Sequence, residues 1–417
     1  MVVQPVPLSN ALSSTTEPQR YYAFDGLRAA MMLFGLVLHS AIGYVTFPTD
    51  RTWPFKDSHP SAFFDLLVMF IHSFRMPVFF VIAGFFAAFL YTTRGADSFF
   101  RNRVQRIALP LTCAWIILFP LIIIASGIAQ TRSSVKIPVN PNDLTPGRLL
   151  NHLMHLWFLY NLLILYGVTL LMMPLIQRIP QNVRAYIFNG FSRIVPTIWG
   201  PGVFSLITLL TLYPMQEWAL DTSDSFLPPL RILAAYGVFF TFGSLLYHRR
   251  MLLPTFGQHA WGNFVVGVLF FGLYVLSVGR AFTTGPTVGI HLLAMVSLAL
   301  AMWYLIYGFL GLFLRYLEQP LPLARYMADA SYWMYLVHLP CTIILPAVLS
   351  NLSVPAFVKF SVVLGSTTLL TLVTYHYWVR ATLIGQVLNG RRYPRTRPHS
   401  NSQHSMPQGP TPTDGGV

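Results

Sequence analysis

An arginine and a histidine, Arg28 and His39, stand eleven residues apart inside the otherwise apolar run 27–47. At about 100° per residue, eleven residues make about three turns plus 20°, so both side chains share one face of a straight helix. At about 1.5 Å per residue, His39 lies roughly 16 Å deeper than Arg28. Across a bilayer this puts a guanidinium at one surface and an imidazole near the middle, and ionisable groups at that depth mark pathways or reaction centres. A neutral imidazole held there is in the state that a general base needs. The plainer alternative is a buried histidine bonded to a neighbouring helix. Asp25 precedes Arg28 by three residues and is within pairing distance of it, but it is about 21 Å from His39. Asp25 can therefore orient Arg28, and any partner that orients His39 comes from another element.

Four further constellations carry chemistry. Arg103 and Arg106 stand at i, i+3 ahead of Ile107 and Pro110. Planar guanidinium forks suit phosphate oxygens, and plain cytoplasmic charge is the competing reading. His72 and Arg75 share a helix face in apolar surroundings with no acidic residue close in sequence. A bound anion or a helix-packing role answers that need equally. His155, Trp157 and Asn161 bring imidazole, indole and amide together. These groups suit a polyol, and the aromatic residues equally suit an interfacial belt. Ser331, Tyr335 and His338 recur at four and three residues, a polar stripe that faces other helices or a cavity rather than lipid. Asp329 or Ser331 is the expected N-cap of that element. There is no nucleophile elbow, zinc-protease motif, phosphate-binding glycine loop or metal-ligand cluster in the sequence.

The elements that must position these residues follow from composition. The 417-residue chain is 54% hydrophobic and only 10% charged, with mean hydropathy +0.57, which excludes an ordinary soluble domain. The apolar material falls in runs of the length that crosses a hydrocarbon core, and the alternation of a barrel is absent. The fold class is all-α, a polytopic membrane protein of about ten transmembrane helices. They are expected at about 27–47, 65–91, 107–128, 149–174, 196–214, 231–247, 261–279, 289–314, 331–350 and 355–380. The second begins in a long stretch holding His72 and Arg75, so part of it is expected to be bent or re-entrant, and the fifth is the weakest, interrupted by Pro196, Gly200, Pro201 and Gly202. Gly35, Gly84 and Gly167 read as small residues for close helix packing.

The net charge of +14 lies mainly in loops and tail, where it reports topology rather than nucleic-acid binding. With both termini in the cytoplasm, 18 of the 27 basic residues fall on the inner side, which argues for an N-in, C-in orientation. The acidic loop with Glu217, Asp221 and Asp224 then lies outside. Cys113 and Cys341 sit in apolar stretches and define no disulfide framework. The start of the chain lacks the basic-then-apolar form of a signal peptide, so the first span is expected to act as an uncleaved anchor. The chain divides into a cytoplasmic segment 1–20, a membrane domain 21–385 and a disordered basic tail 386–417, rich in Pro, Ser and Arg.

Three of these features stand in a familiar order: Phe24-Asp25-Gly26-Leu27-Arg28 with His39 after ten intervening positions, then Arg103-x-x-Arg106, then SYWMYLVHLP over 331–340. Together they resemble the integral-membrane acyltransferase type 3 family, over about residues 20–385. The stretches 71–87, 154–163 and 335–340 resemble one branch of it, whose members add succinyl groups to osmoregulated periplasmic glucans. The resemblance implies a multi-pass protein of the bacterial inner membrane, with His39 as catalytic histidine, Arg28 as its essential partner and Arg103 with Arg106 as the acyl-CoA-binding pair. Acyl-CoA, as succinyl-CoA or acetyl-CoA, is then a co-substrate, with no permanently bound cofactor and no metal. The partners are membrane lipids and a periplasmic glucan or other envelope polysaccharide, not nucleic acid.

On this reading coenzyme A phosphates rest on the arginines, the thioester reaches His39, and His39 deprotonates an acceptor hydroxyl. Ser331, Tyr335, His338 and Arg75 stand as oxyanion donors, and His72, His155 and Trp157 as further substrate contacts. Direct transfer is preferred to an acyl-enzyme, because no activated nucleophile is visible. Two other classes compete: a transporter of an anionic solute with a relay of Arg28, Arg75, His39 and His338, and a non-catalytic assembly subunit.

Overall fold

The computed structural model describes residues 21–47, 53–134, 150–215, 218–317, 319 and 321–393. The expected segment 1–20 and the part of the tail from 394 onward lie outside the described residues, as does Glu217. Among the described residues the chain is helical, with one isolated bridge between His152 and Ser225. The helices are α1 (Tyr22–Ala41), α2 (Ala62–Arg103), α3 (Leu109–Arg132), α4 (Trp157–Arg178), α5 (Gln181–Ile194), α6 (Gly200–Leu212) and α7 (Leu230–His248). They continue with α8 (Leu253–Gln258), α9 (Ala260–Thr284), α10 (Val288–Tyr316), α11 (Pro322–Leu349), α12 (Ala356–Thr374) and α13 (Leu383–Asn389).

Among the described residues eight helical stretches are long and apolar enough to cross a membrane, and one of them, Ala62–Arg132, holds α2 and α3 in succession. The expected span at 196–214 is α6, apolar but only 13 residues long. At 1.5 Å per residue it measures about 20 Å, short of a hydrocarbon core of about 30 Å. Large apolar side chains cover the outer faces: Ile117 on α3, Leu210 on α6 and Leu276 on α9 are 61%, 78% and 71% exposed. Exposure on that scale fits lipid and not water. At the centre runs α10, whose Trp303 is fully buried and donates Nε1–H to Thr208 Oγ1 of α6 at 2.7 Å.

Local chemistry explains the breaks. Ser61 caps α2 through its hydroxyl. No break occurs near His72 and Arg75. The chain turns instead at Gly95, whose φ of 78° is open to glycine without penalty. A π-helical turn, Val104–Ala108, joins α2 to α3 and carries Arg106, a type of turn frequent at functional sites. Helix α11 starts nine residues before the expected span at 331, with Pro322 in its first turn. Asp329 and Ser331 are therefore interior residues and not caps.

Close helix contacts rest on glycines. On α2, a Cβ at Gly84 would strike the backbone carbonyl of Phe240 on α7, and one at Gly243 would strike that of Val81. Phe80 stacks on Tyr236 at 4.5 Å and Phe89 approaches Tyr247 at 5.7 Å, so α2 and α7 run parallel. Helices α1 and α2 run antiparallel, with Phe24 on Phe85 at one end and Phe34 against Phe74 further along.

The tail is taken from 386 in the sequence as disordered, but residues 386–389 belong to helix α13. Helix α13 ends on Gly390 at φ 77°, a left-handed C-terminal glycine. Beyond it Arg391 pairs with Asp329 at 3.3 Å, and Tyr393 donates its phenol to the same carboxylate. This strap brings the last described residues to the end of the bundle where α1 begins.

Candidate active site

Helices α1 and α11 lie side by side and point the same way. Near their starts, Arg28 donates Nη2–H to the Ala328 carbonyl at 3.2 Å and pairs with Asp25 at 3.4 Å. Eleven residues along α1 and ten along α11, the rings of His39 and His338 face each other with centroids 5.0 Å apart. The two steps rise about 16 and 15 Å, so the helices keep register. His39 stands in the last turn of α1, beyond its midpoint. There the Trp53 indole lies against the imidazole, 5.7 Å between centroids and 19° from parallel.

Residues 53–61, which carry Trp53 up to the start of α2, are firmly held. Asp57 N–H bonds the Gly43 carbonyl at 2.8 Å, and Ser61 N–H bonds that of Tyr44 at 2.9 Å. The Asp57 carboxylate meets the Lys359 ammonium of α12 at 2.9 Å, with both side chains 1% exposed. Lys56 adds bonds to the carbonyls of Thr46 and Phe47.

Helix α2 supplies the other wall. A Cβ at Gly35, one turn before His39, would fall on the Arg75 guanidinium. The bare glycine lets that guanidinium lie against α1. His338 stands between His39 and His155, 5.0 and 5.3 Å between ring centroids, and with Arg75 and with His72, one turn before it on α2, they form one cluster. His39, His72 and Arg75 each keep some accessible surface and are not packed solid.

Accounting for protons sorts the cluster. His155 Nε2–H goes to the Leu336 carbonyl at 3.0 Å, and His72 Nε2–H to that of Leu220 at 3.3 Å. His338 Nδ1–H goes to the carbonyls of Tyr335 at 2.8 Å and Met334 at 3.1 Å. A carbonyl only accepts, so each of these neutral rings has its one N–H committed to the backbone. The hydroxyls are also committed: Tyr335 donates to the His155 carbonyl at 2.6 Å, and Ser331 to the Ala328 carbonyl at 2.7 Å. His39 Nδ1, His338 Nε2, His155 Nδ1, Arg75 Nε and Trp53 Nε1 are buried without partners.

The expected stripe on α11 is thus divided by depth. Ser331 shares the acceptor of Arg28 at the starting end, whereas Tyr335 and His338 reach the cluster. Trp157 stands against Tyr236, 5.4 Å between centroids, and makes no ring contact with His39. Tyr236 in turn lies within reach of the Arg75 charge.

At the end where α1 starts, Arg103 lies over the Tyr166 ring at 4.3 Å and near Phe99 at 5.1 Å, and reaches the Phe86 carbonyl at 3.5 Å. The Arg106 carbonyl accepts from Tyr332 of α11 at 2.8 Å, which ties the π-helical turn to the level of Arg28. The Arg106 guanidinium lies against Gly390, where a Cβ would collide with it. Arg103 and Arg106 thus fan apart from a shared turn, one toward α4 and one under the strap. Among the described residues no three His, Cys, Asp or Glu side chains are grouped to hold a metal ion.

Sequence reasoning missed Trp53, the Asp57–Lys359 pair and the strap, which lie in loops or pair across about 300 residues. Trp53 left no periodic signal, and the lone Lys359 within an apolar run was the one sign of a buried pair.

An acyltransferase-domain model, that of the acyltransferase 3 family, matches residues 21–376. Among curated proteins, the glucans biosynthesis protein C of Escherichia coli O81 (strain ED1a) is 24% identical over 404 residues, covering 89% of this chain and 95% of its own length. The protein of the same name from Escherichia coli O9:H4 (strain HS) matches to the same extent. No solved structure gives a significant match.

Proposed function

From the premise that the chain belongs to the acyltransferase 3 family, and is a membrane acyltransferase, we propose that it moves an acyl group, succinyl in the first instance, from acyl-CoA to a hydroxyl of a periplasmic glucan, with His39 as general base. The glucan acceptor is suggested by the name of its relatives, the glucans biosynthesis proteins C. The setting is the bacterial inner membrane, with the arginine end of the bundle toward the cytoplasm, as the distribution of basic residues argues.

One observation carries the reading. Of the four imidazoles in the cluster, His39 alone leaves its N–H uncommitted to the backbone, and its side chain keeps some accessible surface. Arg28, Arg103 and Arg106 take the phosphates of coenzyme A, about 16 Å along α1 from His39. The acceptor hydroxyl gives its proton to His39 while its oxygen bonds to the thioester carbonyl carbon. The resulting oxyanion takes hydrogen bonds from Arg75 and from Trp53 Nε1, both donors without a protein partner. Ser331 and Tyr335 are set aside for that role because their hydroxyl protons already go to carbonyls. The intermediate collapses as the C–S bond breaks, and the proton on His39 passes to the sulfur, releasing the thiol.

The test uses the full chain in nanodiscs with radiolabelled succinyl-CoA or acetyl-CoA and a purified glucan. Label is expected on the glucan with succinyl-CoA, and His39→Gln is expected to abolish transfer while the protein stays folded. Undiminished transfer by His39→Gln removes His39 from the mechanism, and preference for acetyl-CoA reassigns the donor.

A further inference from the structure

A histidine that takes a proton on one nitrogen must place the N–H of the other, and a ring free to flip presents the wrong nitrogen part of the time. Trp53 and Arg75, the polar groups beside His39 on the loop and on α2, carry donors only. Neither can receive an N–H. His155 and His72 have their own N–H groups on carbonyls, so neither can donate to His338.

His338 has the complementary character. Its Nδ1–H is held by two carbonyls of its own helix, which makes Nε2 a fixed acceptor. The residue is 2% exposed, and Nε2 has no partner. Its ring faces His39 at 5.0 Å between centroids, a spacing that a turn of the His39 side chain converts to a nitrogen-to-nitrogen hydrogen bond.

We infer that His338 is the positioning residue for His39: its Nε2 accepts the His39 Nδ1–H, and His39 Nε2 is thereby left as the base that meets the acceptor hydroxyl. This rests on the reading of His39 as base. It also removes His338 from the oxyanion donors, because the nitrogen it offers carries no proton. Substrate completes the arrangement by holding His39 from the other side, and no atom of His338 touches the reacting groups.

Two variants and one spectrum test this in the full-length protein in nanodiscs. His338→Phe keeps a ring but offers no acceptor, and kcat is expected to fall about 100-fold with KM for succinyl-CoA unchanged. His338→Gln restores a carbonyl oxygen as acceptor, and kcat is expected to return to within about tenfold of wild type. Nitrogen-15 spectra of histidine-labelled protein, with the His39 signals assigned by difference from His39→Gln, read the tautomer directly. Wild type and His338→Gln are expected to show His39 protonated at Nδ1, and His338→Phe a mixture. Equal losses in Phe and Gln variants with an unchanged His39 tautomer would overturn the inference. So would a wild-type spectrum with the proton on Nε2, a readout that stands even if His338→Phe fails to fold. Full activity in His39→Gln, by contrast, overturns the reading on which the inference rests.

Discussion

Gly35→Ala separates the chemistry of this site from its architecture. The added methyl would land on Arg75 Nη1 and 3.5 Å from Cζ. Since comfortable contacts between heavy atoms begin near 3.5 Å, the guanidinium has to retreat by more than about 1 Å. The atom met is the far end of a flexible side chain that is not fully buried, so the retreat strains the fold little. Replacing glycine within a helix also contributes about 0.5–1 kcal/mol in favour of the folded state. A donor displaced by about 1 Å from a developing oxyanion costs about 100-fold in rate, or about 2.7 kcal/mol. Stability and activity are therefore expected to move in opposite directions: an equal or higher melting temperature, with kcat down about 100-fold. Two glycines supply the contrasts. At Gly167 a Cβ meets nothing within 4 Å, so Gly167→Ala is expected to leave activity unchanged. At Gly84 the new atom meets the backbone of Phe240, which cannot swing aside, and Gly84→Ala is expected to lower stability by about 1–3 kcal/mol. Tryptophan-fluorescence melting and thiol release with succinyl-CoA and glucan measure both quantities. A Gly35→Ala enzyme with wild-type kcat and an intact melting transition would refute the role given to Arg75.

Breaking the buried pair by Lys359→Met or Asp57→Asn is expected to cost about 3–5 kcal/mol in stability, while the double substitution recovers most of it; thermal melts of the three proteins decide. Arg103→Lys keeps the charge but loses the plane over Tyr166 and the fork for phosphate, so KM for acyl-CoA is expected to rise about tenfold at constant kcat, read from initial rates. Burial and the neighbouring Asp329 carboxylate raise the Tyr393 phenol above its ordinary 10.0. A group whose value is raised on docking stabilises the docked form below its free value, and this is lost as pH rises through the raised one. The strap is therefore expected to stay docked from neutral pH to about 10 and to become protease-sensitive above it, and Tyr393→Phe should erase that dependence.

What was legible from sequence tracks how local the determining physics is. The pairing of Arg28 with His39 needs only the pitch of one straight helix, and the helix kept it. The stripe Ser331, Tyr335, His338 was likewise legible as a face. Which member meets His39 was not, because that depends on the register of α1 against α11, set by packing across 300 residues. The early start of α11 was hidden by Arg325 and Asp329, which break the apolar pattern; Asp329 is satisfied by the returning strap, invisible to a local window. Gly35 reads the same in sequence as Gly167, although one makes room for a guanidinium and the other faces open space. The tautomers are the furthest from view. They are written by the carbonyls of Leu220, Leu336, Met334 and Tyr335, and every residue has a carbonyl. A substitution that preserved all four side chains but shifted α11 by one residue would keep every motif and lose the acceptor opposite His39. On the proposed reading the base and its positioning residue stand on two parallel helices, and the motifs mark only where those helices have to match.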